Sequence, residues 1–158
     1  MSKILPIITH PNPLLRKKST LIPETNIQQA EIKRLLLDME KTMRAKDGAG
    51  LAAPQIGQNI SLIVINDRSK TIFLINPKIT KKSWAQEIAE EGCLSVLTEK
   101  GDIIYGPVKR HKKINCIYLD KFGKKQKLQA ENLLARVIQH EVDHLDGILF
   151  IDRLERDI

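Results

Sequence analysis

The chain has 158 residues, a formal charge of +7, and 42% hydrophobic, 28% charged and only 4% aromatic residues. That length suits one compact domain, read here as 1–158, with a core of Ile, Leu and Val rather than rings. No apolar run approaches the roughly 18–20 residues that cross a bilayer, and the proline-interrupted opening MSKILPIITHP does not read as a secretory signal. The expectation is a monomer of the cytoplasm or an organelle matrix, with no membrane partner.

Prolines at 6, 11, 13 and 23 mark an irregular N-terminal arm. Ile27, Leu35, Leu36, Met39 and Met43 then recur at helical spacing with charges between them, predicting a helix over 26–44 that Asp47 and Gly48 stop. A glycine-rich segment, GAGLAAPQIG, occupies 48–57. β-type runs follow at 61–65, 71–75 and 114–119, with turns at Asn66 and Asp67 and at 120–123. A last helix is predicted over 131–145, stopped by Asp146 and Gly147. The pattern is α+β: mixed, mainly antiparallel sheets packed around a central helix that carries the metal motif below.

Basic residues are dispersed, at 16–18, 81–82, 109–113 and 121–125. They read as a solvated surface, and the charge leaves room for weak association with a polyanion such as the ribosome. Aromatic residues are not interleaved with them, so no specific nucleic acid is expected. The two cysteines, Cys93 and Cys116, are too far apart for a C-x-x-C pair; each is by default a small buried hydrophobe.

The sharpest signal is HEVDH at 140–144. Histidines at i and i+4 share one helical face and can share one cation, while Glu141 can reach water beside it. His140 and His144 extend a stripe through Leu133 and Val137, which predicts imidazoles facing the core, where burial is costly without a partner such as a metal. Catalytic sites of this kind usually have three protein ligands and one open position. Downstream, Phe150 stands where one class of zinc peptidases has a third histidine. Upstream candidates are Cys93, Cys116, His10 and His111. Cys93, after a glycine in EGCLS, is preferred; Cys116 lies in an alternating strand-like run and reads as packing.

Three separated motifs, GAGLAAPQ at 48–55, EGCLS at 91–95 and QHEVDHLDG at 139–147, resemble those of the peptide deformylases in content and order, with weaker similarity at HPNPLLR (10–16) and YLDKFG (118–123). The resemblance implies a hydrolase that removes the N-formyl group from formyl-methionyl peptides and nascent chains, releasing formate. It implies one divalent metal ion held by Cys93, His140 and His144, iron(II) by expectation, with zinc, nickel or cobalt able to occupy the site. Glu141 would be the acid/base, and Gln55 and the Leu94 backbone N–H the oxyanion donors. Gly48, Ala49 and Gly50 would let a peptide lie along the backbone, and Leu133 and Val137 would line a methionine pocket. Glu91 would orient a ligand histidine, paired with Arg110.

The chain departs from the pattern in places. No proline follows two residues after Ser95, the stretch 98–107 is longer than usual, and Ala49 stands where a bulkier aliphatic residue is common. Few residues follow the metal helix, so ribosome docking through a long terminal helix is not expected. Two rival readings are a general HExxH endopeptidase and a metal-stapled RNA-binding domain in which Glu141 is incidental.

Overall fold

The computed structural model describes residues 1–68 and 70–156. In chain order these form α1 (Ala30–Ala45), β1 (Gly50–Ala52), β2 (Leu62–Asp67), β3 (Lys70–Lys82), β4 (Gln86–Leu97), β5 (Ile103–His111), β6 (Lys113–Leu119), β7 (Lys125–Glu131) and α2 (Asn132–Leu145). Five strands build an antiparallel sheet in the order β1-β2-β3-β6-β7, and β4 pairs with β5 apart from it. The α+β class is as the sequence indicated.

The strand β2 explains the layering. Leu62, Ile63, Val64 and Ile65 are all fully buried, so this run is continuous rather than alternating. Successive side chains still point to opposite faces. Leu62 and Val64 pack with Leu36, Met39 and Met43 of α1, whereas Ile63 and Ile65 pack with Ala135, Ile138 and Leu145 of α2. The sheet therefore lies between the two helices. A third cluster, including Cys93, Val108 and Phe150, sits under the β4–β5 pair.

One reading needs correction. The first helix begins at Ala30, not near Asn26, because Glu24–Asn26 form a 3-10 turn. There the Asn26 side chain accepts a hydrogen bond from Gln29 Nε2, local bonding that competes with helix. The N-terminal arm is irregular but fixed. Lys3 and Leu5 donate backbone N–H groups to Asp38 and Thr42 of α1, at 2.7 and 2.8 Å. Farther on, the Ile8 N–H reaches the Gln55 carbonyl and the His10 N–H the Ser95 carbonyl, at 2.8 and 2.7 Å. The arm thus ties the segment after β1 to β4.

Candidate metal centre

Helix α2 supplies His140 and His144 one turn apart, and β4 supplies Cys93. Strand β4 pairs regularly with β5 up to Gly92 opposite Tyr105, and pairing resumes only at Leu97 opposite Ile103. Residues 93–96 thus form an irregularity in the ladder, the kind of bulge that re-aims a side chain. Gly92 has to be glycine, since a Cβ there would stand 2.6 Å from the Tyr105 ring. Cys93 is 5% exposed and its sulfur lies 3.3 Å from His144 Nε2.

The donor atoms of Cys93, His140 and His144 all lie within 4.8 Å of one another. Metal–sulfur and metal–nitrogen lengths of about 2.3 and 2.0–2.1 Å in a tetrahedron put sulfur and nitrogen roughly 3.5 Å apart. The 3.3 Å separation of Cys93 and His144 matches that edge. His140 donates from Nδ1 to Glu91 Oε1 at 2.8 Å, which leaves Nε2 as the nitrogen to ligate a cation, giving up its proton to do so. Burial pushes the His140 imidazole down, yet hydrogen bonds with Cys93 and Glu91 outweigh it and raise the group to about 10. Burial holds His144 well below the usual histidine range. A thiol and two imidazoles converging from buried positions, with one nitrogen already oriented by a carboxylate, fit a divalent cation.

Glu91 is itself held from several sides. It accepts two hydrogen bonds from Arg110 at 3.0 Å, one from Arg136 at 2.6 Å and the one from His140. Burial would raise this carboxyl, but the hydrogen bonds to His140 and Arg110 outweigh it and hold it at about 2. Arg110 continues to Asp143 at 2.6 Å, and Asp143 to Arg153. Breaking such a buried pair by removing one partner typically costs about 3–5 kcal/mol, so the imidazole stands on a stiff support. The sequence reading reached Glu91 and Arg110 but missed Arg136, Asp143 and Arg153. Arg136 had a signal: it lies four residues before His140 on the same helix, placed to meet the same carboxylate.

A cleft of about 220 Å³ opens beside these groups. Gly48, Ala49, Gly50, Gln55, Leu94, Leu133, Val137, His140 and Glu141 all border it. Leu133 is 72% exposed and Val137 partly buried, so the stripe running to His140 faces the cleft and not the core; Ala135, Ile138 and Leu145 take the core side of α2. The Gln55 amide is fixed. Its oxygen accepts from the Ala52 N–H at 2.9 Å, so the NH₂ group faces Ser95 Oγ at 3.1 Å and the Cys93 sulfur at 3.5 Å. Glu141 is 4% exposed, its Oε2 has no hydrogen-bond partner among the described residues, and burial lifts its carboxyl to about 7.

Gly50 leaves room for that carboxylate. A Cβ on Gly50 would meet Glu141 Oε1 at 2.7 Å and Cγ at 2.8 Å. Gly50→Ala is therefore expected to displace Glu141 and lower turnover by up to about 10²-fold, the cost of a misplacement near 1 Å. Bound metal should stay stoichiometric. Unchanged turnover would show that the glycine serves only the backbone.

The family model described as polypeptide deformylase matches residues 4–157. A protein named peptide deformylase from Symbiobacterium thermophilum is 45% identical over 154 residues, covering 95% of this chain and 66% of the relative. Another, from Syntrophomonas wolfei subsp. wolfei, is 46% identical over 147 residues, covering 93% of this chain and 91% of its own. A Met-Ala-Ser-bound crystal structure of class I type b peptide deformylase from Acinetobacter baumannii aligns with a TM-score of 0.90 at 30% identity, covering 98% of this chain and 100% of that one. A match this long in both sequence and fold, over a centre built from a sulfur, two imidazoles and a buried carboxylate, has one conclusion: the chain belongs to the polypeptide deformylase family.

Proposed function

We propose that this chain hydrolyses the N-formyl group from the formyl-methionine that begins newly made proteins, releasing formate, with one divalent cation, iron(II), held by Cys93, His140 and His144. The observation that carries the reading is the buried Glu141 carboxyl beside three converging donor atoms at the end of an open cleft. The relative of known structure that holds Met-Ala-Ser supports a formyl-methionyl peptide as substrate.

Cys93, His140 and His144 would hold the cation, which when bound would supply Lewis-acid chemistry, activating water near neutral pH and polarising a carbonyl. The chain's own residues do the rest. Glu141 accepts the proton of the attacking water on its unpartnered Oε2 and passes it to the departing amine as the C–N bond breaks. The new C–O bond leaves formate, and the peptide departs with a free amine. Such placed proton transfer typically contributes about 10²–10⁴-fold. Gln55 Nε2 and the Leu94 N–H donate to the oxygen that gains charge, where the loss of one donor typically costs about 3 kcal/mol. Leu133 and Val137 contact the methionine side chain. The peptide lies along residues 48–50, since β1 is an edge strand with one side free of sheet partners. Glu91 and Arg110 keep His140 in the ligating tautomer.

The test is formate release from formyl-Met-Ala-Ser by anaerobically purified, metal-loaded protein. Formate is expected in equal amount to free Met-Ala-Ser. Cleavage of unblocked internal peptide bonds, with the formyl group intact, would instead establish the endopeptidase reading.

A further inference from the structure

Lysines that are scattered along the sequence gather around a second cavity, which shares no lining residue with the metal cleft but reaches the Arg110–Asp143–Arg153 pairs behind it. This cavity, of about 680 Å³, borders Gln139, Val142, Asp143 and Asp146 of α2 and its end, whereas the metal cleft borders Leu133, Val137 and His140. Lys18, Lys78, Lys82 and Lys109 line this second cavity. Among the described residues none of the four has a carboxylate within ion-pair distance. Two acids lie there. Asp143 is taken by Arg110 and Arg153, and Asp146 leaves the balance clearly positive. The Ser19 hydroxyl, buried and without a partner, lines the same space.

The chain's single tryptophan lies in the turn next to this cavity in sequence. Trp84 is fully exposed, at 101%, and lies two residues from both Lys82 and Gln86, which line the cavity. Its turn is rigid. The Ser83 N–H donates to the Lys113 carbonyl and the Lys112 N–H to the Ala85 carbonyl, each at 2.9 Å. Ser83 Oγ donates to the Ala85 carbonyl at 2.8 Å and accepts from the Lys113 N–H at 3.1 Å, and His111 Nδ1 donates to the Ser83 carbonyl at 2.7 Å. An exposed indole on a braced turn, two residues from Lys82 of the cavity, sets a stacking surface next to a cationic groove. That pairing is what single strands use: phosphates follow the charge and a base covers the ring. A lipid headgroup surface fits less well, since the unpaired cations line a concavity and a single aromatic side chain would be the anchor.

We propose that this face binds single-stranded nucleic acid, with phosphates along Lys18, Lys78, Lys82 and Lys109 and a base stacked on Trp84. The proposal does not depend on the deformylase reading. Because Trp84 is the only tryptophan, its emission reports on this face alone. Whole protein is titrated at low salt with oligoadenylate of about 12 nucleotides, a length in the range of one such site, as RNA and as DNA. Saturable quenching by either strand is expected, with affinity falling as salt rises. By anisotropy of a labelled strand, Trp84→Ala should weaken binding by about 5- to 150-fold. The triple variant Lys78→Glu, Lys82→Glu, Lys109→Glu should lower the logarithmic salt slope by about 2, at roughly 0.7 per phosphate. Circular dichroism and formate release should match the parent in both. Three results would each overturn the proposal: no binding at low salt, equal affinity in Trp84→Ala, or a Trp84 response to phosphatidylserine vesicles but not to oligonucleotides.

Discussion

Glu141→Ala protein is expected to keep one equivalent of metal while formate release from formyl-Met-Ala-Ser falls by about 10²–10⁴-fold or more. Glu141 is outside the set of three donors and its Oε2 has no partner, so its removal takes nothing from the cation's own ligands. It does take away the one buried carboxyl at the cleft whose affinity for a proton, raised by burial to about 7, suits both accepting and giving one. Glu141→Gln should behave alike, since an amide keeps the shape and loses the base. Turnover retained in either variant, at full metal content, would remove Glu141 from the assigned role. Loss of metal in both would make it a structural prop.

Cys93→Ala should abolish activity by emptying the site, with metal content near zero after anaerobic purification, whereas Cys116→Ala should retain the full complement. The two thiols differ in surroundings, not in burial. Cys93 receives hydrogen bonds from the Ser95 N–H at 3.4 Å and from Gln55 Nε2 at 3.5 Å, and faces His144. A cation at this position would be bound by the thiolate form of Cys93. Cys116 packs in the apolar cluster on the α2 side of the sheet, where burial pushes its thiol up to about 11, so it remains protonated. Elemental analysis of the two variants separates these outcomes without an activity assay. Metal that followed Cys116 would overturn the ligand assignment. With iron(II) loaded, exposure to air should also inactivate the parent protein, while zinc, which has no redox chemistry, should protect it.

The sequence made the local parts legible. The spacing of His140 and His144 follows from 3.6 residues per turn, and so does the amphipathic run of Leu36, Met39 and Met43 in α1. The buried run at 61–65 read as strand because four β-favouring residues in a row have few other uses. Strands β4 and β7 did not stand out. The first, QEIAEEGCLSVL, opens on acidic residues and is interrupted by glycine, and the second, KQKLQAE, is mostly charged and polar; each is paired to a neighbouring strand. The stripe through Leu133 and Val137 reads equally as core-directed and as pocket lining, and the packed chain sets it on the cleft. The surface lysines show the same limit. Read singly they are solvated charge, and only the packed chain brings Lys18, Lys78, Lys82 and Lys109 to one cavity.

By itself the sequence determined the two imidazoles one helical turn apart, the carboxylate beside them and the order of three motifs, because these depend on backbone geometry over a few residues. The tertiary structure decided the rest. It set Cys93 against His144, 51 residues away, and put Arg136 on Glu91 across 45. It also laid the N-terminal arm over Gln55 and Ser95. Contacts at such separations are chosen by which faces can be buried together, and that choice belongs to the packed chain and not to any stretch of it.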